Sequence, residues 1–161
     1  MKTLEPTDLD FFDAAPVRIV ASTTIPTTPA ALFDVFADIT SWPSWFPMMK
    51  RAAWQGGRSG GLGAEREVAL HLLGRFRERM IAWQPGARFA FTMIGSTSPL
   101  VRHLAEDYKV SAVDGGTRLD WVMAATPTTL GKAGMPMMRV IMRRLFAKAG
   151  QRLRTRFATA R

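Results

Sequence analysis

Between residues 64 and 127 apolar side chains recur at alternate positions, and turn-forming residues interrupt the alternation at short intervals. Gly74, Pro85-Gly86, Ser96 to Pro99 and Asp114-Gly115-Gly116 divide this stretch into strands over residues 64–73, 75–84, 87–95, 100–113 and 117–126. Connections this short predict an antiparallel meander, because parallel neighbours need a long crossover. Upstream, the β-branched run VRIVASTTI at 17–25 lies between Pro16 and Pro26 and predicts a further strand. Thr27, Thr28 and Pro29 then offer hydroxyl N-caps and a first-turn proline ahead of Leu32, Phe33, Val35, Phe36 and Ile39, the spacing of a short helix. Pro43 and Pro47 interrupt the next segment, so Trp42 and Trp45 fall in a tight turn or a second short helix. Glycines 56, 57, 60, 61 and 63 predict a flexible hairpin loop after Trp54.

The period changes near the C-terminus. Residues 127–134 (PTTLGKAG) break the strand pattern, and a long helix is predicted over 134–158. On it, Met135, Met138, Met142, Leu145, Phe146, Ala149, Leu153 and Phe157 form one apolar stripe. Arg139, Arg143, Arg144, Lys148, Arg152 and Arg154 fall mostly outside that stripe, on what is predicted to be the solvent face. Ala149 and Gly150 put small side chains on the buried side, where they leave room for a guest or allow close packing.

A chain of 161 residues predicts a single domain, 1–161, with 1–15 as an N-terminal extension and the core over about 16–158. It should fold alone or as a simple oligomer such as a homodimer. All 13 acidic residues lie at or before Asp120 and are balanced there by an equal number of bases. The whole net charge of +9 therefore belongs to residues 121–161, which hold no acid. Such a face suits an acidic protein or an anionic membrane surface. It lacks the interleaved aromatics of a nucleic-acid reader, so sequence-specific nucleic-acid binding is not expected. The absence of cysteine excludes disulfides, thiolate metal sites and a cysteine nucleophile. The first residues have no uninterrupted apolar segment and nowhere is there a long apolar run, which predicts a soluble, cytoplasmic protein. The loop GGRSGGLG fits neither phosphate-binding fingerprint, no helix pattern follows its Gly57-Arg58-Ser59-Gly60-Gly61 string to make a nucleophile elbow, and no H-x-x-x-H pair occurs, so no cofactor, metal or hydrolytic triad is expected.

The elements thus run strand, two short helices, a series of antiparallel strands and a long amphipathic helix. With Ile25-Pro26-Thr27-Thr28-Pro29, then LFDVFAD from Leu32 to Asp38, then Trp42-Pro43-Ser44-Trp45-Phe46-Pro47, the chain resembles the START-like, polyketide cyclase and dehydratase superfamily, also called SRPBCC. The resemblance covers about residues 16–158. It implies an α+β helix-grip fold: a curved antiparallel sheet of six or seven strands, two short helices after the first strand, and a C-terminal helix packed across the sheet. It also implies a deep, mainly apolar cavity between the two, which different members use for lipids, quinones, polyketides or hormones.

Alternation then names the side chains facing the helix. Phe89, Phe91 and Met93 share an inner phase, as do Leu104, Tyr108, Val110 and Ala112, and Leu119, Trp121 and Met123. Phe76, Glu78 and Met80 oppose Arg75, Arg77 and Arg79, which should meet water. The expected ligand contacts are Phe76, Met80, Phe89, Phe91, Met93, Tyr108, Trp121, Met123, Met138, Met142 and Phe146. As core fillers these residues need no ligand; as a set rich in methionine and phenylalanine they make an adaptable wall. Glu78, Glu106 and Tyr108 are the polar members of the inner phases and the candidates for acid–base chemistry, because a buried carboxyl finds a partner or has its pKa raised. Binding of a hydrophobic small molecule by a carrier or sensor is the first functional expectation. A cyclase or dehydratase using these polar groups is the second, and contact with a protein or membrane through the basic helix face is the third.

Overall fold

The computed structural model describes residues 1–159. Its eight strands are β1 (Lys2–Thr3), β2 (Val17–Ile25), β3 (Met49–Trp54), β4 (Glu65–Leu70), β5 (Gly74–Gln84), β6 (Arg88–Ser96), β7 (Val101–Val113) and β8 (Gly116–Pro127). Its helices are α1 (Phe11–Ala14), α2 (Pro29–Ala37), α3 (Trp42–Trp45) and α4 (Thr129–Ala158), with a 3-10 turn at Ile39–Ser41 before α3. The strands form one curved antiparallel sheet in the order β2-β8-β7-β6-β5-β4-β3, with β1 added to β6. This is the helix-grip arrangement, α4 lying across the concave side.

The local chemistry explains the elements. Thr28 caps α2, its hydroxyl accepting from the Ala31 N–H at 3.2 Å, and Pro29 opens the first turn. Asp38 caps the 3-10 turn through the Thr40 N–H, and the Trp42 and Trp45 indoles bond to the Phe36 carbonyl and the Ser41 hydroxyl. The tryptophans are thereby fixed as the plug at one end of the core.

Two expectations need correction. The helix predicted over 134–158 begins five residues earlier, at Thr129. Thr128 caps it, accepting from the Gly131 N–H at 3.1 Å while donating to the Pro99 carbonyl, so the end is held despite Gly131, Gly134 and Pro136. The turn between β4 and β5 is His71 to Leu73 rather than Gly74, and Leu72 adopts φ 67° there. Two strands carry no periodic signal. β3 is a mostly half-exposed edge strand, and β1 is only two residues long, filling the β6 edge left open where pairing with β7 stops at Thr92↔Ala105.

The N-terminal extension is integral to the packing. Beyond β1, Phe12 lies buried on the outer side of the sheet over Ala82, Ala90, Ala105 and Ala124. β6 is consequently buried on both faces almost throughout. On α4, Met142, Leu145, Phe146, Ala149 and Leu153 are buried as the stripe predicts. A side chain at Gly150 would press on Thr23, so that small residue serves close packing on β2. The bases of the outer face are concentrated in the later turns; the first turns present Leu130, Met137 and Val140 to solvent beside Lys132.

Candidate functional site

The interior has two unlike halves. Under the C-terminal half of α4 it is filled with rings: Trp121 stacks on Phe146 at 4.0 Å, Tyr108 lies 4.7 Å from Trp121, and Trp42 lies 4.6 Å from Trp45. Under the N-terminal half lies a cavity of about 200 Å³. Its mouth is framed by the β4–β5 turn, residues 98–101 and the first turns of α4, with Leu72 99% and Met137 68% exposed.

Of the expected contacts, Phe76, Phe91, Met93 and Met123 from the sheet and Met138 and Met142 from α4 lie on the cavity wall, together with Tyr108. Met80, Phe89, Trp121 and Phe146 do not. They belong to the ring-filled half, where alternation puts them inside but the bulk of their neighbours leaves no space. Trp42, Phe46, Leu104, Met135 and Met137 are among the further lining residues and are not among the expected contacts. The turn at Pro43 and the helix start at Thr129 set most of them there, and neither placement follows from strand periodicity.

The three polar candidates come together at the floor. Glu106 Oε2 accepts from the Tyr108 hydroxyl at 2.6 Å and from the Trp121 indole N–H at 3.3 Å. Glu78 Oε2 accepts from Arg66 Nε at 2.5 Å. All four residues Arg66, Glu78, Glu106 and Tyr108 are buried. Arg66 is the site residue that the sequence reading misses. It shares an inward phase with Ala64 and Val68, and extending the alternation into that strand finds it. Its guanidinium lies 3.9 Å from the Trp42 ring centroid and 4.6 Å from that of Phe91, and its two terminal nitrogens have no partner among the described residues.

Burial raises the pKa of Glu78, and the Arg66 charge and hydrogen bond draw it part of the way back. Burial also lifts Glu106 to about 7; the Tyr108 hydrogen bond opposes this and the Glu78 carboxylate adds to it. Tyr108 is held well above the usual phenol range by burial first and by Glu106 second, so it stays a donor at neutral pH. The floor thus gathers two buried carboxyls and a phenol in a mainly apolar chamber. Among the described residues no group of three His, Asp or Glu side chains is placed to hold a metal, and no helix is long and apolar enough to cross a membrane.

Residues 16–158 match a protein family described as polyketide cyclase/dehydrase and lipid transport. An uncharacterized protein of Mycobacterium tuberculosis H37Rv is 30% identical over 166 residues, covering 99% of this chain and 98% of that protein. The solved ZhuI aromatase/cyclase from Streptomyces sp. R1128 superposes with a TM-score of 0.72 at 14% identity, over 87% of this chain and 92% of that one. A Thermobifida fusca protein gives 0.71 at 18% identity, over 88% and 93%. Ara h 8.0201 gives 0.64 at 17%, over 85% and 97%. Likeness at these identities establishes the shared fold.

Proposed function

The chain belongs to the polyketide cyclase/dehydrase and lipid transport family, and on that footing we propose that it binds a compact hydrophobic small molecule between α4 and the sheet, as a carrier or sensor. The observation that carries this reading is the cavity itself: about 200 Å³, walled mainly by Leu, Val, Phe and Met, with Glu78, Glu106 and Tyr108 together at its floor. An apolar cavity of roughly 150 Å³ accommodates a benzene-sized guest, whereas drug-sized ligands occupy about 300 Å³ or more. The size favours a one- or two-ring molecule or a short acyl chain. A four-ring polyketide or a diacyl lipid requires the methionine wall to rearrange, which unbranched thioether side chains do readily.

Magnitudes indicate what such a guest needs. Burying about 250 Å² of ring surface gains roughly 6 kcal/mol at about 25 cal/mol per Å². Association costs at least about 4 kcal/mol in lost freedom of motion. Apolar burial alone gives weak binding, so a polar contact at the floor decides affinity. In a calorimetric titration with one-, two- and four-ring aromatic compounds, the smaller rings should saturate and the largest bind weakest. Met138→Trp, which fills the chamber, should abolish saturation. A folded wild-type protein that saturates with none of them overturns the reading.

A second reading, proton transfer of the cyclase or dehydratase kind, is favoured by one observation: a carboxyl with a pKa of about 7 touches a phenol hydroxyl at the end of a ligand-sized chamber. The ZhuI relative is an aromatase/cyclase, which supports keeping it.

A further inference from the structure

The chemistry of the guest's polar end follows from which carboxyl oxygen of Glu106 is free. Both protein donors, the Tyr108 hydroxyl and the Trp121 indole, are spent on Oε2. Oε1 accepts no bond from the described residues, and Glu106 lines the cavity. When the group is neutral, the acid proton avoids the oxygen that already faces two donors and sits on Oε1, directed at the guest. Resting on the reading of this chamber as a ligand site, we propose that Glu106 donates a hydrogen bond from Oε1 to a carbonyl oxygen of an otherwise apolar, uncharged guest, and that the floor turns carboxylates away.

The groups around Glu106 leave an anion no cation on the cavity wall. Glu78, from β5, brings a second carboxyl to the floor. Arg66, from β4, is the one cation nearby among the described residues; only its Nε is engaged, with Glu78, and the guanidinium, its two terminal nitrogens without a partner there, lies against the Trp42 and Phe91 rings without lining the cavity. Tyr108 on β7 and Trp121 on β8 are committed donors, and α4 contributes only glycines and methionines to the wall. An anionic head would meet two acids and no accessible cation. A ketone, aldehyde, quinone or ester oxygen would meet a donor. The midpoint of about 7 for Glu106 makes the donor available on the acidic side and removes it on the alkaline side.

The test compares three probes of one shape, 2-acetylnaphthalene, 2-ethylnaphthalene and 2-naphthoate, by calorimetric titration about one pH unit below and above that midpoint. The ketone should bind about tenfold tighter than the hydrocarbon at the lower pH, a difference of one good hydrogen bond, lose most of that advantage at the higher pH, and outbind the carboxylate at both. Glu106→Gln keeps an oxygen for Tyr108 and Trp121 and puts an N–H on the cavity side, so it should hold the ketone preference at both pH values. Glu106→Leu should bind hydrocarbon and ketone alike. Equal wild-type affinities for ketone and hydrocarbon at the lower pH, or a carboxylate bound as tightly as the ketone, overturn the proposal while the cavity reading stands. Failure of all three probes to bind folded protein removes the cavity reading and the proposal together.

Discussion

Arg66 places a full charge among aromatic rings with a single salt-bridge partner. The ion pair's own attraction is set against the desolvation of both ions, so the pair adds little net stability, yet removing one member leaves the other charge buried and unopposed. Arg66→Met should therefore cost roughly 3–5 kcal/mol in urea unfolding at neutral pH. Adding Glu78→Gln should recover part of it. A cost below about 1 kcal/mol for the single variant would mean that Glu78 is neutral in the native protein. Glu78, Glu106 and Tyr108 are legible in the sequence because strand alternation assigns each a face. Arg66 is legible only when the alternation is carried into β4, where it shares the inward phase of Ala64 and Val68 while the arginines of β5 point outward, and the β4–β5 register then sets it opposite Glu78.

At the level of elements, α4 shows where propensity and tertiary contact pull apart. Gly131 and Gly134 look alike in sequence, and both weaken a helix by up to about 1 kcal/mol relative to alanine. A Cβ at Gly131 would run into the Leu100 carbonyl oxygen, whereas one at Gly134 meets nothing within 4 Å. Gly134→Ala should raise stability by about 0.5–1 kcal/mol. Gly131→Ala should lower it by at least about 1 kcal/mol, as overpacking does. Thermal unfolding of the pair settles it, and a stabilised Gly131→Ala protein would show that the helix start is free of the Pro99–Leu100 segment. The same contact explains why the first turn of α4 reads as loop in the sequence: glycine there serves a close approach that only the fold makes. The apolar stripe from Met135 onward is legible because 3.6-residue periodicity survives the proline.

On the scale of the whole molecule, sequence periodicity assigns the concave side well and leaves the convex side blank. Four alanines, Ala82, Ala90, Ala105 and Ala124, mark that blank, and their meaning depends on Phe12 from a segment with no pattern of its own. Phe12→Ala should cost about 3 kcal/mol or more, since the small alanines cannot close the gap. Chemical denaturation would check it, and a negligible loss would make the extension an ornament rather than a second layer. The cavity is expected from the resemblance; its confinement to one half of the interior is not, because filling by rings depends on where the Trp42–Trp45 turn is set down.

The sheet order also dictates when a native molecule first exists during synthesis. Neighbours from β3 to β8 pair in sequence, but β2 waits for β8, with Val17 opposite Ala125. A nascent chain thus carries one long bare strand until β8 is made, and the helix that roofs the chamber follows every strand. Pairing so distant in sequence closes slowly, so the growing polypeptide is most prone to aggregate before β8 leaves the ribosome.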